Sequence, residues 1–260
     1  MSAQRRRWAA VGAVLLLGVA GCGGQQAGAD PDGDGLGGTL TVFAAASLTD
    51  VFDRLGERFR ADHPDVDLRF NYAGSSALAG AIVQGAPADV FASANEAQMR
   101  VVTDAGLAAG EPEVFATNVL QIAVPPGNPP GVTGLADFAR EELALAVCAP
   151  EVPCGAAAEQ VFAAAGVTPR PDTLEEDVRA ALTKVELGEA DAALVYASDV
   201  VSAGNGVEGV GVPEAEEAVT AYPVCVLADA PNPEAAGAFV ELVQSGTGQA
   251  ALAEFGFRSP

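Results

Sequence analysis

The amino-acid sequence predicts an α/β protein in which mostly parallel sheets carry helices on their faces. Two observations lead there. Short apolar runs suited to strands alternate with stretches that repeat apolar residues at helical spacing, in a regular βαβα order. In addition, three of the strands end on small or hydroxyl residues that open a helix, at Ala46-Ser47, Gly74-Ser75 and Pro153-Cys154-Gly155.

TLTVFAAA reads as a buried strand, and Leu48, Val51, Phe52, Leu55 and Phe59 then share one helical face. DLRFNYAG is a second strand, followed by a short helix through SSALAGAIVQG. DVFASA is a third strand, with NEAQMRVVTDAG helical behind it. Near Ala116 the pattern restarts: VLQIAVPP is a strand, GNPPGVTG a loop, ALAVCA a strand and CGAAAEQVFAAAG a helix. LEEDVRAALTKVELGEA predicts one longer helix, and DAALVYASDV a strand running into another. TAYPVCVLA is a returning strand, and PEAAGAFVELVQSGTGQAALAEFGF supplies two closing helices. The sequence has no internal repeat, and no P-loop, dinucleotide fingerprint or nucleophile motif falls on any turn.

The first residues belong to export rather than to the fold. Arg5, Arg6 and Arg7 precede an uncharged stretch from Trp8 to Gly21 that ends in Val19-Ala20-Gly21-Cys22. A basic head, about a dozen apolar residues and a small-residue end make a secretory signal. The stretch is short of the roughly 20 apolar residues that span a bilayer. Cysteine directly after Val-Ala-Gly resembles the bacterial lipobox, which implies a signal peptide over residues 1–21 and lipidation of Cys22. Residues 22–38, rich in Gly and Asp, read as a flexible tether. Asp30, Asp32, Asp34 and Gly35 imitate the start of a calcium loop, but Thr41 stands where the bidentate Glu belongs.

The chain carries 35 acidic residues against 13 basic ones, for a formal charge of −22. Losing the three leader arginines makes the mature chain more negative still. Nucleic acid is therefore excluded as a partner, because phosphate backbones are held by basic patches. A small anion would need local hydrogen-bond donors strong enough to overcome that field, which salt screens beyond roughly 10 Å.

With Cys22 set aside, Cys148 and Cys154 are expected to form a disulfide in an oxidising, exported setting. Cys225, in the apolar run YPVCVLA, reads as a buried thiol, and sequence leaves a bridge to either of the others open.

Ser47 supports two readings. With Asp50 three residues on, it forms a capping box. Alternatively an anion sits on the free N–H groups of the helix start. Ligands of open α/β sheets bind outside the carboxyl ends of strands. Several such turns meeting at a cleft would offer hydroxyls and backbone N–H groups to a small oxyanion.

Five separated segments carry a resemblance: TVFAAASLTD, YAGSSALAGAIVQGAPADVFASAN, EDVRAAL with GEADAALVYASD, AYPV and GQAALAEFGF. In order and spacing, from about Leu40 to Arg258, they resemble the periplasmic molybdate-binding proteins of ABC importers. The resemblance implies a type II periplasmic-binding fold of two α/β lobes closing on a tetrahedral dianion in the cleft between them. The lobes are expected over residues 39–117 plus 223–260 and over 118–222. It implies an oxyanion site made by the hydroxyls and amides of Ser47 and Ser75, the backbone amides of Cys154 and Val178, and the Tyr196 hydroxyl. Ser76 is the nearest competitor to Ser75. The ligand the resemblance implies is molybdate or tungstate, with no cofactor and no cation ligand, and the partners it implies are the permease and its ATPase. The protein is expected to be a non-enzymatic monomer, held to the extracytoplasmic face of the membrane by its lipid alone.

Cys154 stands where the family often has alanine, which an amide contact tolerates. A disulfide from Cys154 to Cys148 would stiffen that loop. Glu175, Glu176 and Asp177 suit a helix N-terminus and are expected to point away from an anion; Arg179 is expected in a structural role. Sulfate is the alternative ligand. A serine hydrolase using Ser47 or Ser75 is the distant one, since His63, the single histidine, sits in the polar turn ADHPDV with no partner for a triad.

Overall fold

A computed structural model describes residues 35–260. The signal peptide, Cys22 and most of the tether lie outside the described residues. Two five-stranded sheets form the framework. The first has the order β2-β1-β3-β10-β4, with β1 at Gly38–Ala45, β2 at Val66–Ala73, β3 at Val90–Ala92, β4 at Glu113–Asn118 and β10 at Thr220–Val226. The second has the order β7-β6-β8-β5-β9, with β5 at Leu120–Val124, β6 at Leu145–Cys148, β7 at Thr173–Glu175, β8 at Ala192–Tyr196 and β9 at Glu208–Val210.

The sheets are mixed, not mostly parallel. β1 pairs in parallel with β2 and β3, and β6 with β7 and β8. β10 and β5 run antiparallel to both their neighbours. The physical reason is connectivity: β5 and β10 are the strands by which the chain arrives from the other sheet, so no βα crossover sets their direction. The chain leaves the first sheet after Asn118 and re-enters it at Thr220.

Helix α1 (Thr49–Asp62) buries Val51, Phe52, Leu55 and Phe59, as its spacing predicts. Phe52 is fully buried and meets Phe70, Phe115 and Phe239, so one ring ties α1 to β2, β4 and α7 (Pro233–Gln244). Burying such a side chain stabilises by about 1.5–3 kcal/mol. The remaining helices are α2 (Ser75–Val83), α3 (Glu96–Asp104), α4 (Pro153–Ala165), α5 (Val178–Glu186), α6 (Ala197–Ala203) and α8 (Gly246–Glu254).

Two local expectations change. The segment from Leu174 is not one helix: Thr173–Glu175 pairs with β6 as an edge strand, and α5 starts at Val178. Asp177 stops the helix from extending further back, because its side chain accepts Ala180 N–H at 2.9 Å as an N-cap. Nor does Ser47 form a capping box with Asp50. It lies in a 3-10 turn over Ala46–Leu48, without a side-chain cap, and α1 begins after it.

The parallel strands decide where function can sit. β1 and β2 end at one edge of the first sheet; β6, β7 and β8 end together in the second. Each of these ends runs into a helical turn whose first amides have no intrahelical acceptor.

Candidate functional site

Ser47, Ser75, Cys154, Val178 and Tyr196 all line one cavity. Each stands just beyond a strand's carboxyl end or closes it: Ser47 after β1, Ser75 after β2, Cys154 after β6, Val178 after β7 and Tyr196 at the end of β8. The space open to the centre of a water-sized guest is about 10 Å³, the scale of a single small occupant. No Lys, Arg or His lines it.

Ser75 is the first residue of α2 and is buried. Its Oγ accepts the buried Ala94 N–H at 3.0 Å, which leaves the hydroxyl proton free to donate elsewhere. Ser47 Oγ lies 3.0 Å from the Tyr222 hydroxyl, across 175 residues of sequence. With Tyr222 donating, Ser47 keeps its own proton for the cavity. Ser76 does something else: its Oγ donates to Glu151 O at 2.7 Å, away from the guest space.

The second lobe presents helix starts. Cys154 and Val178 lie in the first turns of α4 and α5, where free amides and the helix dipole favour an anion. Cys154 is bonded to Cys148, with Cα atoms 5.7 Å apart, so the disulfide ties the end of β6 to the start of α4. Packing there is tight enough to demand Gly155, because a Cβ would stand 1.8 Å from Ala149 O. Cys225 is free and buried, and its Sγ lies 3.6 Å from Met99 Sδ. Burial pushes its thiol up to about 12.

Tyr196 is buried, and its hydroxyl makes no hydrogen bond although the Thr220 and Tyr222 hydroxyls lie near. Burial holds the phenol well above the ordinary tyrosine range, so it is a neutral donor. Its backbone N–H is fixed by Asp199 Oδ2 at 3.0 Å. Burial raises the Asp199 carboxyl to about 7, against the pull of Arg179. Asp177 lines the cavity while its carboxylate turns to cap α5.

Arg179 forms an ion pair with Asp50, joining α5 to α1 across the cleft. No local sequence pattern signals this pair, and none marks Tyr222, within AYPV, as the partner of Ser47. His63 caps the opposite end of α1 from Ser47, about 20 Å along a helix of this length, and its ring packs on Phe59. It does not line the cavity. Among the described residues no cluster suited to a metal ion occurs, and no helix is long and apolar enough to cross a membrane.

The family model described as bacterial extracellular solute-binding protein matches residues 40–258. This chain belongs to that family. A relative of this solute-binding protein, the molybdate-binding protein ModA of Mycobacterium tuberculosis, is 43% identical over 251 residues, covering 96% of each chain. Among solved structures, the periplasmic molybdate-binding protein of Azotobacter vinelandii aligns with a TM-score of 0.73 at 20% identity, over 85% of this chain and 99% of that one. The sulfate-binding protein SubI of Mycobacterium tuberculosis aligns with a TM-score of 0.74 at 18% identity, over 85% and 86%. The solute-binding protein therefore has the two-lobe, type II periplasmic-binding architecture, and its backbone resembles a molybdate binder and a sulfate binder equally.

Proposed function

We propose that this protein captures molybdate, and tungstate, outside the cytoplasm and delivers it to an ABC importer. The observation that carries the reading is the meeting of five residues, nominated by separate motifs, in one cavity that offers hydroxyl and amide donors and no cation. A buried dianion must be matched by hydrogen bonds, since an unpaired buried charge costs many kcal/mol. Donors to a charged acceptor are roughly twice as strong as neutral pairs. The high identity to ModA over nearly the whole chain favours molybdate. In this reading Ser47, Ser75 and Tyr196 give side-chain donors, and Cys154 and Val178 give amides.

The protein acts as a monomeric binder without catalysis, anchored by lipid on Cys22 and docking on a permease with its ATPase. Its lobes divide at Val119 and just before Thr220, which the strand membership of the two sheets supports. Sulfate is the second reading, favoured by the equal likeness to SubI. A hydrolase has no support, because no histidine reaches Ser47 or Ser75.

Melting the full chain with millimolar molybdate, tungstate, sulfate or phosphate tests the reading. An anion at 1,000 times its dissociation constant stabilises by about 4 kcal/mol, enough to raise the midpoint by several degrees. A rise with molybdate and tungstate alone is expected. Equal rises with sulfate would make it a general oxyanion binder, and no rise with any anion would remove the proposal.

A further inference from the structure

Besides the Arg179–Asp50 ion pair, a set of contacts between the lobes involves the turns that would hold the ligand. Ser76 Oγ donates to Glu151 O at 2.7 Å, and Gln98 Nε2 reaches the same carbonyl at 3.4 Å. Gly74 faces Glu176 so closely that a Cβ would stand 2.6 Å from its carbonyl oxygen. The three nearest atoms such a Cβ would meet, Glu176 O, Asp177 Cβ and Glu176 C, all belong to the second lobe. The backbone does not ask for glycine here, since φ is −57°. Only the approach of the other lobe does.

We infer that Gly74, Ser76 and Gln98 form a closure latch: the glycine admits the second lobe's backbone, the two side chains hold its Glu151 carbonyl, and the latch sets how firmly the closed state retains its anion. The inference rests on the oxyanion reading above. Glu151 lies inside the loop closed by the Cys148–Cys154 disulfide, and Glu176 is two residues ahead of Val178. The carbonyls gripped or approached by the first lobe thus sit on the same two turns that bring the Cys154 and Val178 amides to the cavity. Those turns cannot leave the ligand without also leaving the latch. The paired serines divide the work: Ser75 faces the cavity, and Ser76 faces the other lobe.

Gly74→Ala separates closure from folding. An added methyl meets nothing nearer in its own lobe, and Gly74 precedes α2 without a side-chain cap to lose. In the open state the methyl has room; in the closed state it collides with backbone, which cannot step aside as a flexible side chain can. The affinity a ligand shows falls in proportion to the population of the competent state, so a tenfold loss of closure weakens binding about tenfold.

The test uses the full chain and molybdate, with calorimetric titration for Kd, small-angle X-ray scattering for compaction, and melting without ligand as the check on folding. G74A is expected to melt as the wild type does without molybdate, to bind at least about tenfold more weakly, and to lose ligand-induced compaction. Should G74A melt lower, the S76A/Q98A double variant decides: a severalfold rise in Kd at unchanged unliganded melting supports the latch, and an unchanged Kd overturns it. G74A that binds and compacts like a binding wild type overturns the latch alone. A wild type that takes up neither molybdate, tungstate nor sulfate overturns both the latch and the oxyanion reading.

Discussion

The two lobes equip the same cavity differently. In the first, each serine oxygen already has a protein partner: Ser75 Oγ holds Ala94 N–H, and Ser47 Oγ holds the Tyr222 hydroxyl. In the second, the Tyr196 hydroxyl has no hydrogen bond, and the other donors are amides at helix starts. The serine oxygens of the first lobe are thus held in place while their protons remain for a guest, whereas in the second lobe the buried Tyr196 hydroxyl makes no hydrogen bond at all. One half is built for order, the other for demand.

Removing one donor from each half breaks the comparison most directly. Ser75→Ala strips a donor from the cavity and leaves the buried Ala94 amide unpaired. We expect stability to fall by about 1–3 kcal/mol and molybdate binding to weaken by about 1.5–3 kcal/mol more, the value of a hydrogen bond to a charged group. Urea denaturation without ligand and titration calorimetry check the two losses. Tyr196→Phe should split them. Binding weakens by a similar amount, but the unliganded protein becomes more stable, because a buried hydroxyl without a partner is removed. If both variants lose stability alike, the contrast between the lobes is wrong.

The disulfide sharpens the same contrast with a smaller effect. Cys148→Ala with Cys154→Ala releases a short loop, for which chain entropy gives about 2 kcal/mol of lost stability. Because the Cys154 amide survives the change, binding should weaken less than in either donor variant. Thermal melting and calorimetry on the double variant would show both, and unchanged values of each would remove the loop-stiffening role.

Much of this was legible because local pattern and local structure agree. The α1 stripe from Val51 to Phe59 follows from spacing alone, the turns at Ser47, Ser75 and Cys154 follow from strands that end on small or hydroxyl residues, and Val178 and Tyr196 come to attention only through the family resemblance. What escaped depends on partners distant in sequence. LEEDV looks like a helix start, yet Leu174 pairs at the sheet edge and remains 59% exposed; the N-cap bond of Asp177 moves the boundary. The strand direction of β10 follows from its origin in the other lobe, which no local signal encodes. Asp50 reads as the partner of Ser47 three residues away, but it pairs with Arg179 across the cleft. The need for glycine at 74 becomes visible only when Glu176 stands opposite it.

The absence of Lys and Arg from the cavity wall has a consequence for the protein as an electrolyte. Hydrogen-bond donors hold an anion without cancelling its charge. A chain already at −22 therefore becomes more negative by the full charge of whatever it carries. Loaded and empty forms should separate by mobility in an electric field, and the acidic surface itself favours the anion's departure once the lobes part.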